Sequence, residues 1–355
     1  MAKKNVPDIR LFDSSEELSS GLADYINEIS ESCINEKGSF SLVLSGGDLP
    51  KRLEKLTNSP YLKTVEWRKW YVFWAEENVV PKRHPDSIYW QTKEYFLSKV
   101  PILPDHILPV SHGVPGESAA NCYESSIRQL VKNRTVPALP LSDCPRFDLI
   151  LLNLGVNGYV ASYVVPEDEE ESKWVSCVSI DGYKERVTTT LPVINAAAHV
   201  AIVASGNEVA PSFLDAMMGQ KPKGNNPVQM VWPKDGKLVW LVDKIAASLF
   251  LKGHISATAA VSSSTKGKFR NNLGDQVRST QDGGWEYHFG SGSAPEGSWT
   301  YDWGTGSGPD GSNFGYGSGY GGTLGGCGCF GFGYGGRGPG SYGFGYAFGE
   351  GDDGV

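Results

Sequence analysis

The chain of 355 residues is 40% apolar and 20% charged, carries a formal charge of −8, and has room for two or three domains of about 100–200 residues each. The charge is uneven: residues 283–355 hold 28 of the 44 glycines, seven acids and the single base Arg337, whereas residues 1–282 carry 31 bases against 33 acids. A near-neutral body argues against a nucleic-acid footprint, and no run reaches the ~18–20 uninterrupted apolar residues of a membrane span, so neither nucleic acid nor membrane is an expected partner.

The N-terminal stretch MAKKNVPDIRLFDSSEELS has no apolar segment behind Lys3 and Lys4. Its early acids, Asp8, Asp13, Glu16 and Glu17, are unlike an organelle transit peptide, which predicts a cytoplasmic protein. The isolated Cys33, Cys122, Cys144 and Cys177 fit reduced thiols in that compartment. Asp13 or Ser14 can cap a helix over residues 13–33, in which Leu18, Leu22, Tyr25, Ile26 and Ile29 recur at helical spacing. SFSLVLS (39–45) then reads as a buried strand ending in Gly46-Gly47, and LPKRLEKL as the next helix. KWYVFWAEE (69–77), FDLILLNLG (147–155) and HVAIVASG (199–206) are further strands of the same apolar type. Helical patterns lie at 86–99, 119–132 and 207–218, and LVWLVD with KIAASLF closes the recognisable elements near Phe250. Continuous apolar strands alternating with helices predict an α/β fold, a doubly wound, mostly parallel sheet covered on both faces.

Residues 1–252 form the expected folded domain and 253–282 a polar linker. Residues 283–355 form a low-complexity acidic Gly/aromatic tail. The tail's branched or long aliphatic residues are Leu324 and Val355 alone, too few to offset the entropy of ordering a Gly-rich backbone, so it is expected to be disordered. Its aromatics suit weak self-association, while seven acids against Arg337 would repel a phosphate backbone.

In such sheets ligands bind beyond the carboxyl ends of the strands. Three loops belong there. Ser45-Gly46-Gly47 presents backbone N–H groups ahead of a helix, which suits a phosphate or carboxylate. Glu76 and Glu77 follow the second strand, with Lys82, Arg83 and His84 behind them. Asn153 to Ser162 turns sharply where Gly155 and Gly158 bracket Asn157, and Tyr159 begins the next element. His84, His106, His112 and His199 show no metal-ligand spacing, and no metal or other cofactor is expected.

The order of these blocks resembles the 6-phosphogluconolactonase family, in particular its plant-type members. SGG, FWAEENVVPKRHPDS, FDLILLNLGVNGYVAS, ERVTTTLPVINAAAHVAIVASG and DGKLVWLVDKIAASLF follow one another in the family's sequence from about Ile9 to Phe250. The resemblance implies a Rossmann-like α/β fold, shared with sugar-phosphate isomerases. It also implies metal-free hydrolysis of 6-phosphoglucono-δ-lactone to 6-phosphogluconate, in the oxidative pentose phosphate pathway. A small phosphorylated sugar lactone is then the partner. Phosphate and substrate binding would fall to Ser45, Gly46, Gly47, Arg186, Gly158 and Ser162, and catalysis to Tyr159, Glu77 and Asn157.

The chain departs from the family pattern at several of these blocks. The family's D-E-R reads Glu76-Glu77-Asn78, its Ser-Asn pair reads Ser87-Ile88, its proton-transfer His is Tyr159, and a later Lys is Val209. A tyrosine near pKa 10 is phenolate about one part in a thousand at neutral pH. A positioned acid/base contributes about 10²–10⁴-fold, so Tyr159 for His predicts a loss of roughly 3–5 kcal/mol of barrier lowering. Glu77 is the expected base, and Asn78 and Val209 each remove a cation. The alternative is a non-catalytic paralogue that binds a sugar phosphate or acts as an interaction protein. An amino-sugar-phosphate isomerase on the related fold is a weaker third reading.

Overall fold

The computed structural model describes residues 8–139, 143–161, 173–180, 184–218, 227–233, 235–251, 276–282, 285–293, 299–307, 313–321, 327–335 and 342–349. The chain divides into two compact units, Ile9–Leu251 and Met1–Asp8 with Lys252–Val355. In chain order the first holds β1 (Asp8–Phe12), α1 (Ser15–Lys37), β2 (Phe40–Leu44), α2 (Leu49–Arg52), α3 (Tyr61–Thr64), β3 (Trp70–Trp74) and β4 (Glu76–Asn78). It continues through α4 (Ile88–Tyr95), α5 (Gly116–Lys132), β5 (Leu149–Asn153), β6 (Val175–Ile180), β7 (Lys184–Thr189), α6 (Leu191–Ala196), β8 (His199–Ala204), α7 (Ala210–Met218) and β9 (Lys237–Asp243).

The central sheet has the order β1-β9-β8-β5-β2-β3. Its run from β9 through β8, β5 and β2 to β3 is parallel throughout. The sequence explains this: β2 is FSLVL with every residue buried, and β5 is LILLN with four of five buried, as strands covered on both faces require. From β2 the chain steps to β3 on one side, and later strands fill the other side through β5, β8 and β9. The direction reverses between β2 and β5, and the crevice above such a switch point is where these folds bind ligands.

Helix α1 starts where expected. The Ser14 Oγ accepts from Glu17 N at 3.1 Å and Glu17 Oε2 accepts from Asp13 N at 3.1 Å, a reciprocal cap. It ends at Gly38, whose φ of 84° lets its amide reach Ile34 O. At the sheet's opposite end the buried Asp148 accepts from both N and Oγ of Ser41 at 2.8 Å and pairs with Lys37 Nζ at 2.8 Å. That knot joins the start of β2 to the start of β5 and sets their register from below the site.

Beside the main sheet lies an antiparallel one, β4-β7-β6, in which Asn78 stands opposite Arg186. In the second unit, where composition alone suggests no ordered structure, the structure describes a six-stranded antiparallel meander. Its strands are β10 (Gln276–Asp282), β11 (Trp285–Ser293), β12 (Trp299–Ser307), β13 (Asn313–Gly321), β14 (Cys327–Gly335) and β15 (Tyr342–Gly349). The aromatic–glycine alternation has the period of a strand. In the resulting register Gly315, Gly333 and Gly343 stand opposite one another, as do Tyr316, Phe332 and Phe344.

Candidate active site

The turn after β2 is built by close approach. Ser45 donates its amide to Leu151 O at 3.0 Å, and its buried Oγ accepts from Asn153 N at 2.8 Å. Its hydroxyl therefore ties β2 to β5. Gly46 N donates to Glu76 Oε1 at 2.9 Å, and a Cβ there would press on Ile88 Cδ1 at 2.8 Å. Gly47 has φ 72°, and a Cβ there would overlap Asn153 Nδ2, so both backbone and packing demand glycine. The helix expected next is short: α2 has four residues and passes into a 3₁₀ turn, Leu53–Thr57. The amides of Ser45 and Gly46 are thus taken by Leu151 O and by the Glu76 carboxylate, so the anion cradle expected from Ser45-Gly46-Gly47 is not open at these two positions, and a four-residue helix adds little dipole.

The two adjacent carboxylates do different work. Glu77 is 1% exposed, and its oxygens accept from Asn78 N (2.9 Å), Ile88 N (2.8 Å), Tyr89 N (2.7 Å) and Ser87 Oγ (3.4 Å). With Ser87 Oγ accepting from Trp90 N, it satisfies the open first turn of α4. Burial pushes its pKa up to about 7 against these donors, which pull it down. The base expected at Glu77 is thus committed to holding a helix. Glu76 is the carboxylate that lines the cleft, with its Oε2 3.6 Å from Arg186 Nη1.

That cleft, of about 560 Å³, is bounded by Gly46 and Gly47, by Glu76, Asn78, Val79 and Val80, by Asp86, Ile88 and Gln91, and by Lys184, Glu185 and Arg186. Asn78 donates Nδ2 to Asp86 O at 2.7 Å, which fixes the loop between β4 and α4. Arg186 enters from β7 directly across the ladder from Asn78. Lys184, which sequence reading passed over, stands two residues earlier on the same strand.

The third loop forms a separate part of the rim. Asn157 (φ 70°) and Gly158 (φ 76°) are consecutive left-handed residues, and Gly155 N closes the turn on Tyr159 O at 2.8 Å. Asparagine tolerates that backbone better than most residues, so Asn157 is a turn former. Gly158 is buried, and Tyr159 is 43% exposed at the carboxyl end of β5. Neither Tyr159 nor Asn157 lines the cleft described above. Ser162 lies outside the described residues. Val209 is buried in the turn after β8. Among the described residues no group of three His, Cys, Asp or Glu side chains is placed to share a metal, and no helix is long and apolar enough to cross a membrane.

The family model described as glucosamine-6-phosphate isomerases/6-phosphogluconolactonase matches residues 13–240. A protein of Oryza sativa subsp. japonica named probable 6-phosphogluconolactonase 1 is 47% identical over 253 residues, which is 69% of this chain and 85% of that one. Its namesake in Arabidopsis thaliana is 46% identical over 253 residues, 69% of this chain and 94% of that one. Among solved structures, 6-phosphogluconolactonase from Thermotoga maritima superposes with a TM-score of 0.56 at 26% identity, covering 67% of this chain and all of that one. The Trypanosoma brucei 6-phosphogluconolactonase structure gives 0.59 at 23% identity over 69% and 99%, a likeness of fold. A parallel sheet with its cleft between the turn after β2, the β4–α4 loop and β7, together with this match across the body, means that the chain belongs to the glucosamine-6-phosphate isomerase/6-phosphogluconolactonase family.

Proposed function

We propose that this protein is a 6-phosphogluconolactonase, a lactone hydrolase that opens 6-phosphoglucono-δ-lactone to 6-phosphogluconate. The observation that carries the reading is the family match across the body in a chain whose rim cleft still holds the Gly46-Gly47 turn and Arg186. In the reaction, water adds to the C1 carbonyl, the bond from C1 to the ring oxygen breaks, and the ring oxygen takes a proton to become a hydroxyl. The departing proton leaves a carboxylate on C1.

Arg186 supplies a guanidinium for the substrate phosphate, and Glu76, joined to both Gly46 N and Arg186, orients that pair. Tyr159 is assigned the hydrogen-bond donor role toward the lactone from the β5 side of the rim, as a neutral phenol. Ser45, Gly158 and Asn157 act by shaping the two turns. The lactone is an activated ester, so positioning and a donor are of use even without the family's histidine. A cytoplasmic location is supported by higher identity to relatives named without a plastid, 46–47%, than to those named chloroplastic, 40–41%. Weak self-association through the tail is proposed from its aromatic content, and sedimentation of the full chain against residues 1–252 tests it.

The deciding experiment offers the full chain 6-phosphoglucono-δ-lactone and, separately, glucosamine 6-phosphate. Lactone opening above the buffer rate with no turnover of the amino sugar is expected. The reverse pattern would make it an isomerase, and inertness toward both would leave a binding paralogue.

A further inference from the structure

We propose that Lys184 is the residue by which this cleft selects phosphorylated over unphosphorylated lactones, an inference that rests on the reading of the site as a lactone site. The charge pattern of the cleft points to it. Side chains alternate along a strand, so residues 184 and 186 of β7 share a face about 6.6 Å apart, and both border the cleft. Glu185 between them turns the other way, with its Oε2 accepting from Gly116 N at 3.4 Å.

Of the other charged residues that border the cleft, Glu185 accepts from Gly116 N, Asp86 is exposed with its carboxylate 3.8 Å from His84 Nδ1, and Glu76 and Arg186 face each other. Glu76 also receives the Gly46 amide, and its charge and that of Arg186 offset each other. Asn78, opposite Arg186 in the ladder, is neutral and holds Asp86 O. Lys184 is exposed and forms no ion pair among the described residues. Its ammonium is thus the cleft's uncommitted positive charge, on a flexible stem suited to meeting a phosphate dianion as a point charge. A phosphate between Lys184 and Arg186 would take the ammonium's charge directly and share the guanidinium with Glu76, while the sugar ring extends toward the Gly46-Gly47 turn.

The test uses the full chain and Lys184→Gln, with Lys184→Arg as the conservative variant. Steady-state kinetics are read on 6-phosphoglucono-δ-lactone and on glucono-δ-lactone, and calorimetry reads binding of 6-phosphogluconate. For Lys184→Gln we expect KM for the phosphorylated lactone to rise by about 10-fold or more, with kcat changed less than about 2-fold and the unphosphorylated lactone unaffected. Lys184→Arg retains the selectivity, and the salt dependence of KM becomes shallower in Lys184→Gln. Unchanged selectivity in Lys184→Gln, or an equal loss on both lactones, overturns the proposal and leaves the lactonase reading standing. A wild type that opens neither lactone but binds 6-phosphogluconate, with Lys184→Gln weaker, upholds Lys184 and overturns the turnover. A wild type that does not bind 6-phosphogluconate overturns both.

Discussion

Gly46 and Glu76 lie thirty positions apart and are joined by a 2.9 Å hydrogen bond from the glycine amide to the carboxylate. The bond fastens the turn after β2 to the antiparallel sheet that carries Arg186, so one carboxylate sets the relative position of two walls of the cleft. Glu76→Gln keeps an oxygen for Gly46 but cancels the attraction for Arg186. Folding stability should change by less than ~1 kcal/mol, because that pair is partly exposed. The ratio kcat/KM should fall by about an order of magnitude as the guanidinium loses its orientation. Thermal denaturation and steady-state kinetics separate the two effects.

Gly47 and Gly46 should respond differently to alanine. At Gly47 the left-handed backbone and the overlap with Asn153 Nδ2 act together, so Gly47→Ala should lose about 1–3 kcal/mol of stability and most of the activity. At Gly46 the obstacle is the flexible end of Ile88, which can move, so Gly46→Ala should cost about 1 kcal/mol or less. Chemical denaturation of both variants checks the order.

Glu77 makes stability depend on pH in a definite direction. Its pKa is raised from 4.5 to about 7 by burial, so the folded state holds the proton more tightly than the unfolded chain. The contribution is fully present below about pH 4.5 and is lost as pH rises through about 7. Glu77→Gln should flatten that slope. It should also lower stability at every pH, because an amide cannot accept all the donors of the α4 start. Denaturation midpoints between pH 4 and 8 for both proteins test this.

Tyr159 carries the proposed donor. Tyr159→Phe should lower kcat by roughly 10-fold or more with little change in stability, since the side chain is exposed. Tyr159→His combined with Asn78→Arg should raise kcat/KM by about 10²-fold or more if the native rim lacks an efficient proton-transfer group. Assays of the lactone at neutral pH read both.

The central strands were legible because their physics is one-dimensional. FSLVL, LILLN and HVAIVA are apolar on every face, and a strand buried on both sides has no other composition. The antiparallel sheet was not, because β7 reads KERVTT and half of it is polar, so its pairing comes from where β4 emerges. The division of labour between Glu76 and Glu77 escaped reading for a similar reason. Adjacent residues on a strand face opposite ways, and which one meets the cleft depends on the placement of α4. Asn153 illustrates the limit further: the strand end is plain in FDLILLN, but its contact with Gly47 exists only once β2 and β5 lie side by side.

The most direct measurement compares wild type with Arg186→Ala in the opening of 6-phosphoglucono-δ-lactone, corrected for the rate in buffer. Wild type should open the lactone above the buffer rate, and kcat/KM should fall by about 10–100-fold when the guanidinium is removed. Equal rates in the two proteins, or a wild type no faster than buffer, would contradict the proposal.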